Sequence, residues 1–99
     1  LMPFIPLLLA LSAASPFWQG HATGLAGYRL SVFGEMPRTG LPELFAGPED
    51  YGRLVRVMTA AGAIPDASYL WWAVRPSVKY PTLELRVADS CTSLDHTLA

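Results

Sequence analysis

Apolar and polar positions alternate most cleanly over Pro81–Asp89, which reads PTLELRVAD. Leu83, Leu85 and Val87 fall on one face, and Thr82, Glu84 and Arg86 on the other. That period of two is the period of a β-strand, whose successive side chains point to opposite sides. Just before it, Tyr69–Arg75 reads YLWWAVR, rich in aromatic and β-branched residues, and predicts a partner strand. Pro76–Lys79 supplies the turn, giving a β-hairpin with a connection of about four to five residues. A lone hairpin is marginal in water, so this one is expected within a larger antiparallel sheet. Trp71 and Trp72 face opposite sides of such a strand, which predicts that other protein covers both.

Helical periods lie upstream. Tyr51, Leu54, Val55, Met58 and Ala61 form one stripe, predicting a helix over about Pro48–Ala61. Proline suits its first turn, Glu49 and Asp50 favour its N-terminal dipole, and Gly62 stops it. Arg53 and Arg56 lie off the stripe and are read as solvated. A shorter helical face is made by Leu25, Tyr28, Val32 and Phe33, with Arg29 beside it. Leu1–Ala14, LMPFIPLLLALSAA, is read as a buried helix whose front is cut off. It is too short for the ~20 residues of a membrane span, and no basic residue precedes it as in a secretory leader. Ser15–Gly24 and Met36–Pro48 carry prolines and glycines and are expected to be loop. Thr92 or Ser93 can cap a short final helix that stops after barely two turns. Both ends are expected to be truncations.

Composition narrows the classes. Ninety-nine residues make room for one small domain. Apolar residues make up 52% and charged residues 15%, against a usual charged share of about 25%. Such a chain expects its apolar faces to be covered by further protein. A net charge of −1 offers no basic patch for a phosphate backbone, which excludes nucleic acid as the expected partner. The lone Cys91 makes no disulfide framework and fits a reducing cytoplasm; with His21 and His96 it makes no zinc spacing. Cys91 is read as structural, and each histidine as a bystander.

The chemistry-bearing candidates are few. Glu84 and Arg86 stand two apart on the strand, with Cα atoms roughly 7 Å apart, so both can address one cleft. A carboxylate so placed can hold Mg²⁺, and an arginine beside it can grip a carboxylate or phosphoryl oxygen. The plain alternative is a polar sheet face with cross-strand ion pairs. Arg75 lies on the facing strand, its side unfixed by sequence. Arg38 sits in an irregular Pro-Arg-Thr-Gly loop, as either a binding group or an ordinary exposed arginine.

Four stretches together resemble a known family. They are LLLALSAASPFWQGHATG at 7–24, YRLSVFGEMPRTGLP at 28–42, LWWAVRPSVKYPTLELRVAD at 70–89 and CTSLD at 91–95. In this order and spacing they resemble the carboxylate–amine ligases related to glutamate–cysteine ligase, of the bacterial and plant type. The resemblance implies an α+β fold, part of a glutamine-synthetase-like antiparallel sheet packed with helices, here two or three helices plus a β-hairpin. Residues 1–99 would be a partial catalytic domain of a longer ligase. It implies an ADP-forming reaction in which ATP phosphorylates a glutamate side-chain carboxylate and an amine such as cysteine attacks the acyl phosphate. By this resemblance Glu84 matches a metal-binding glutamate for Mg²⁺ and Arg86 its substrate- or phosphate-binding neighbour. Arg29 and Arg38 match further active-site arginines, and Arg75 is assigned to substrate binding with Arg38. The expected setting is the cytoplasm, with no nucleic acid or membrane partner, the rest of the parent chain as partner, and homo-oligomer formation left open. Ala22 and Ala73 depart from the pattern, each standing where the family usually has aspartate. That leaves a non-catalytic relative as the alternative. Alone, the 99 residues are expected to be inactive, because the family needs carboxylates from other strands.

Overall fold

The two strands expected between Tyr69 and Asp89 form, each shorter than its pattern suggests. In a computed structural model describing residues 1–98, β3 is Val74–Pro76 and β4 is Leu83–Leu85. They pair antiparallel, Val74 with Leu85, Arg75 with Glu84 and Pro76 with Leu83. The expected strand start at Tyr69 is corrected: Ala67–Tyr69 is a 3₁₀ turn. Trp71 and Ala73 donate their amides to Arg38 and Gly40 carbonyls instead, at 2.9 and 2.8 Å. The segment is therefore extended but tied to a loop. The ladder does run one step further, since the Arg86 amide donates to the Ala73 carbonyl at 2.8 Å.

Upstream, a 3₁₀ turn at Met2–Phe4 leads into helix α1, Ile5–Ser12, with Pro6 in its first turn. The expectation of a buried helix holds on one side only. Ile5 is buried, and with Met2, Leu8 and Leu9 it packs on Ala73, Val74 and Val87, while Leu7 and Leu11 are exposed. The loop expected at Ser15–Gly24 contains a small hairpin, β1 Phe17–Trp18 with β2 His21–Ala22. Its two linking residues, Gln19 and Gly20, both have positive φ, 49° and 82°. That is the requirement of a type I′ turn.

Helix α2 is Arg29–Gly34, starting later than the Leu25 periodicity suggested. Residues 26–28 are engaged elsewhere: Ser15 donates its amide to Ala26 O at 3.1 Å, and Tyr28 donates to Ser15 O at 2.8 Å. Helix α3, Pro48–Ala60, follows its pattern closely. Glu49 and Asp50 fill its first turn, Tyr51, Leu54, Val55 and Met58 are half-buried, and Arg53 and Arg56 are exposed; Ala61, expected in the stripe, is corrected to an exposed residue just past the last turn. Gly62, at φ 71°, closes it with its amide on Thr59 O at 3.0 Å. The last helix, α4, is Leu94–Leu98.

The architecture is α+β, with four α-helices and two antiparallel hairpins among the described residues, one hairpin more than expected. Its radius of gyration is 15.6 Å, against about 13 Å for a closely packed domain of this length. The buried core is correspondingly thin, Ile5, Ile64, Leu70, Ala73, Val74 and Val87. Leu83 and Leu85, on the apolar face of β4, are exposed at 58% and 36%, whereas Val87 beyond them is wholly buried. No helix among the described residues is long and apolar enough to cross a membrane.

Candidate active site

The β3–β4 register puts Arg75 directly across from Glu84. Arg75 is buried, so its guanidinium must find partners within the fold. It finds three: Glu84 Oε2 through Nε at 2.8 Å, and the Ser68 and Leu70 carbonyls through Nη1 at 2.5 and 2.9 Å. This settles the side on which Arg75 lies, which the turn left open in the sequence. It also commits most of the donors expected to meet a substrate. The Glu84 carboxyl is held below the usual carboxylate range, first by the Arg75 hydrogen bond, against some desolvation, and then by the charges of Arg75 and Arg86.

Arg86 approaches the same Oε2 at 3.9 Å, too far for a hydrogen bond. Its fork is thus not spent on Glu84. The guanidinium carbon of Arg86 lies 5.7 Å from the Phe33 ring centre, and that of Arg29 lies 5.5 Å from it. Arg29 also donates from Nη1 to the Arg86 carbonyl at 3.3 Å. Arg75, Glu84, Arg86, Phe33 and Arg29 therefore form one continuous row. Three guanidinium groups against one carboxylate leave it net positive, a surface suited to multiply charged anions.

Arg38 belongs to a neighbouring cluster. Its guanidinium sits 5.0 Å from the Trp71 ring and 5.9 Å from the Tyr69 ring, and Nε donates to Tyr69 O at 3.1 Å. Its φ of 62° is left-handed, uncommon for a residue with a side chain. Trp72 faces another way, against Phe45 and Tyr51. So the paired tryptophans do serve different surroundings, although not from a regular strand.

Four participants carry no signal of their role in the sequence. Phe33 was read as one apolar position of a helix, yet it carries two guanidinium groups. Tyr51 was read as part of the α3 stripe. Its hydroxyl is buried without a hydrogen-bond partner among the described residues, and burial raises its pKa while the charges of Arg75 and Glu84 oppose each other there. Ser15 and Asp89, hydrogen-bonded at 2.6 Å, were read only as a loop start and a strand end. Seventy-four residues separate them, and no local pattern links them. His21 and Ala22 lie exposed in β2, Ala73 lies in the core, and Cys91 is a free thiol.

As a metal site the donor set is small. Among the described residues no three His, Cys, Asp or Glu side chains gather. Glu84 alone offers a carboxylate to the row, and both arginines act on its Oε2. That matches the way Mg²⁺ takes one or two carboxylates plus substrate phosphates, and not an all-protein cage.

Comparison with known proteins bears on the whole chain. The family model described as glutamate-cysteine ligase family 2 (GCS2) matches residues 1–99. A relative from Bradyrhizobium diazoefficiens, provisionally named glutamate–cysteine ligase 2, is 56% identical over 99 residues, which are all of this chain and 23% of the relative. One from Ectopseudomonas mendocina, with the same provisional name, is 55% identical over 98 residues, 99% of this chain and 26% of the relative. One from Rhodospirillum rubrum is 52% identical over 95 residues, 96% of this chain and 24% of the relative. The chain thus spans about a quarter of the length of the curated relatives it matches. With the family model matching from end to end, the chain belongs to glutamate–cysteine ligase family 2.

Proposed function

We propose that these residues form one wall of the active site of an ATP-dependent carboxylate–amine ligase of the glutamate–cysteine ligase type. The observation that carries this reading is the Arg75–Glu84–Arg86–Phe33–Arg29 row, an anion-receptive face with a single ionised carboxylate. In the proposed reaction the γ-phosphoryl group of ATP passes to the side-chain carboxylate of glutamate, giving ADP and an acyl phosphate. An amine such as that of cysteine then attacks the acyl carbon, inorganic phosphate leaves with the C–O bond electrons, and the amine loses a proton. Such transfers gain their rate from positioning and from charge stabilisation.

Each side chain has a task in this reading. Arg86, loosely placed beside Glu84, grips the phosphate oxygens as charge shifts among them, and Arg29 across Phe33 binds the carboxylate of the amino-acid substrate. Arg75 holds Glu84 ionised and fixed, alongside its expected contact with substrate, and Arg38 meets substrate from the neighbouring aromatic cluster. Glu84 contributes one ligand to Mg²⁺, which when bound would shield the phosphate charges. The remaining carboxylates come from other parts of a longer chain. The cytoplasm, which supplies ATP and keeps thiols reduced, is the compartment this chemistry fits.

The test replaces the matching stretch of the Bradyrhizobium diazoefficiens relative with residues 1–99. The graft should show Mg-ATP-dependent amide formation and ADP release with glutamate and an amine. Glu84→Gln keeps the shape and removes the charge, and should lower turnover at least ~100-fold, on the order of 3 kcal/mol of barrier. Unchanged turnover in that variant would sink the role of Glu84. A graft that releases no ADP, beside a relative that does, would favour a binding role without catalysis.

A further inference from the structure

We infer that Ser15 and Asp89 are positioning residues for Arg29, acting through the first turn of α2; the inference rests on the substrate role proposed for Arg29. The first amides of a helix have no partners within it. Tyr28, at the start of α2, makes no side-chain cap. The partner comes from another segment: Ser15 Oγ accepts from the Arg29 amide at 3.0 Å, and at 2.9 Å it shares the Tyr28 amide with the Ser15 carbonyl at 2.8 Å.

A hydroxyl has one proton and two lone pairs, so this cap works only if the proton points elsewhere. It goes to Asp89 Oδ2 at 2.6 Å, and the same oxygen accepts the Ala14 amide at 2.9 Å. Space is reserved for this node. A Cβ on Gly27 would come within 3.1 Å of Asp89 Oδ2 and 3.3 Å of Ala13 Cβ. Asp89 lies three residues beyond Arg86, whose carbonyl takes the Arg29 guanidinium. Both ends of Arg29 are therefore anchored to the same stretch, its backbone through Ser15 and Asp89 and its head through Arg86. The node sets where Arg29 stands relative to Arg86 and Glu84.

The grafted protein tests this. Ser15→Ala should raise KM for the amino-acid substrate about 10-fold, leave KM for ATP unchanged, and change kcat less than about 3-fold. Ser15→Thr, which restores a hydroxyl, should bring KM back. Where Ser15→Ala gives no soluble protein, Gly27→Ala serves instead, since it keeps both partners but crowds the carboxylate, and the same KM shift is expected. A role confined to folding would lower kcat with the fraction of active protein and leave KM in place, and that result overturns the inference. Amide exchange separates the two levels of the claim. If Arg29→Ala leaves KM unmoved, the substrate role of Arg29 fails. The node is then judged on exchange at Arg29, which Ser15→Ala must accelerate, and unchanged exchange there overturns it.

Discussion

The two small antiparallel hairpins among the described residues differ in nearly every respect except size. In β1–β2 all four paired residues are exposed, and the turn is the tight two-residue link at Gln19 and Gly20. In β3–β4, Val74 and Arg75 are buried, the connection is long, and a charged pair spans the strands. The first hairpin is held from its turn, with Thr23 closing it from below by its amide and hydroxyl on Pro16 O, both at 2.9 Å. The second is held from its core and its cross-strand pair. The proposed chemistry falls on the hairpin whose arginine is fixed by burial, where a guanidinium is held in one direction by neighbours that cannot move.

Truncating the core of each hairpin gives the largest expected contrast. Val74→Ala removes two buried methyl groups from the contact with Ile5 and Val87. It should cost about 2 kcal/mol of unfolding free energy. Phe17→Ala removes a larger side chain, but one that is 64% exposed. It should cost no more than about 0.5 kcal/mol. Urea unfolding of the 99-residue chain measures both. Equal losses would mean that β1–β2 is packed against something its exposure does not reveal, and the contrast would collapse.

What sequence could reveal follows the same division. Helix α3 was legible from Pro48 to Gly62, because its stripe, its first-turn acids and its stop are all local. The alternation of Pro81–Asp89 correctly put Glu84 and Arg86 on one face. Arg75 opposite Glu84 was not legible, since register depends on a connection running from Ser77 to Thr82, longer than the turn expected. The β1–β2 hairpin was missed because its strands are too short to alternate and Gln-Gly is a weak turn signal. The Ser15–Asp89 pair was beyond any local reading. Its members are ordinary residues whose meaning arises only when the chain brings Ala14, Tyr28 and Arg29 around them.

Acid should separate the hairpins next. Glu84 is the only carboxylate within either pair of strands, and its folded pKa is lowered, chiefly by the Arg75 hydrogen bond. A lowered folded pKa means that its contribution to stability is fully present above the unfolded value, about 4.3. That contribution is lost as pH falls through the folded pKa. In an NMR pH titration the Glu84 carboxyl should therefore have a midpoint below that of an unfolded glutamate, and Arg75→Gln should move it upward. The β1–β2 amide shifts should stay level across the same acid window. A Glu84 midpoint at or above the unfolded value would break the pairing that distinguishes β3–β4.

The smallest effect lies in the turn of β1–β2. Gln19 has φ 49° in a link where both central residues need positive φ. A long side chain in that region is strained, whereas asparagine visits it more readily, and Asn-Gly is the favoured pair for this turn. Gly20, at φ 82°, already suits its place, and a Cβ there would meet nothing within 4 Å. Gln19→Asn should thus stabilise the hairpin by a few tenths of a kcal/mol, on the order of a fraction of the αL penalty. Amide exchange at Trp18 and His21 should slow accordingly, while exchange at Arg75 and Glu84 stays as it was. Slower exchange in both hairpins would mean that they are coupled. The exposed one would then bear on where Arg75, Glu84 and Arg86 stand, most directly through the 6.1 Å contact of Trp18 with Tyr28 at the head of α2.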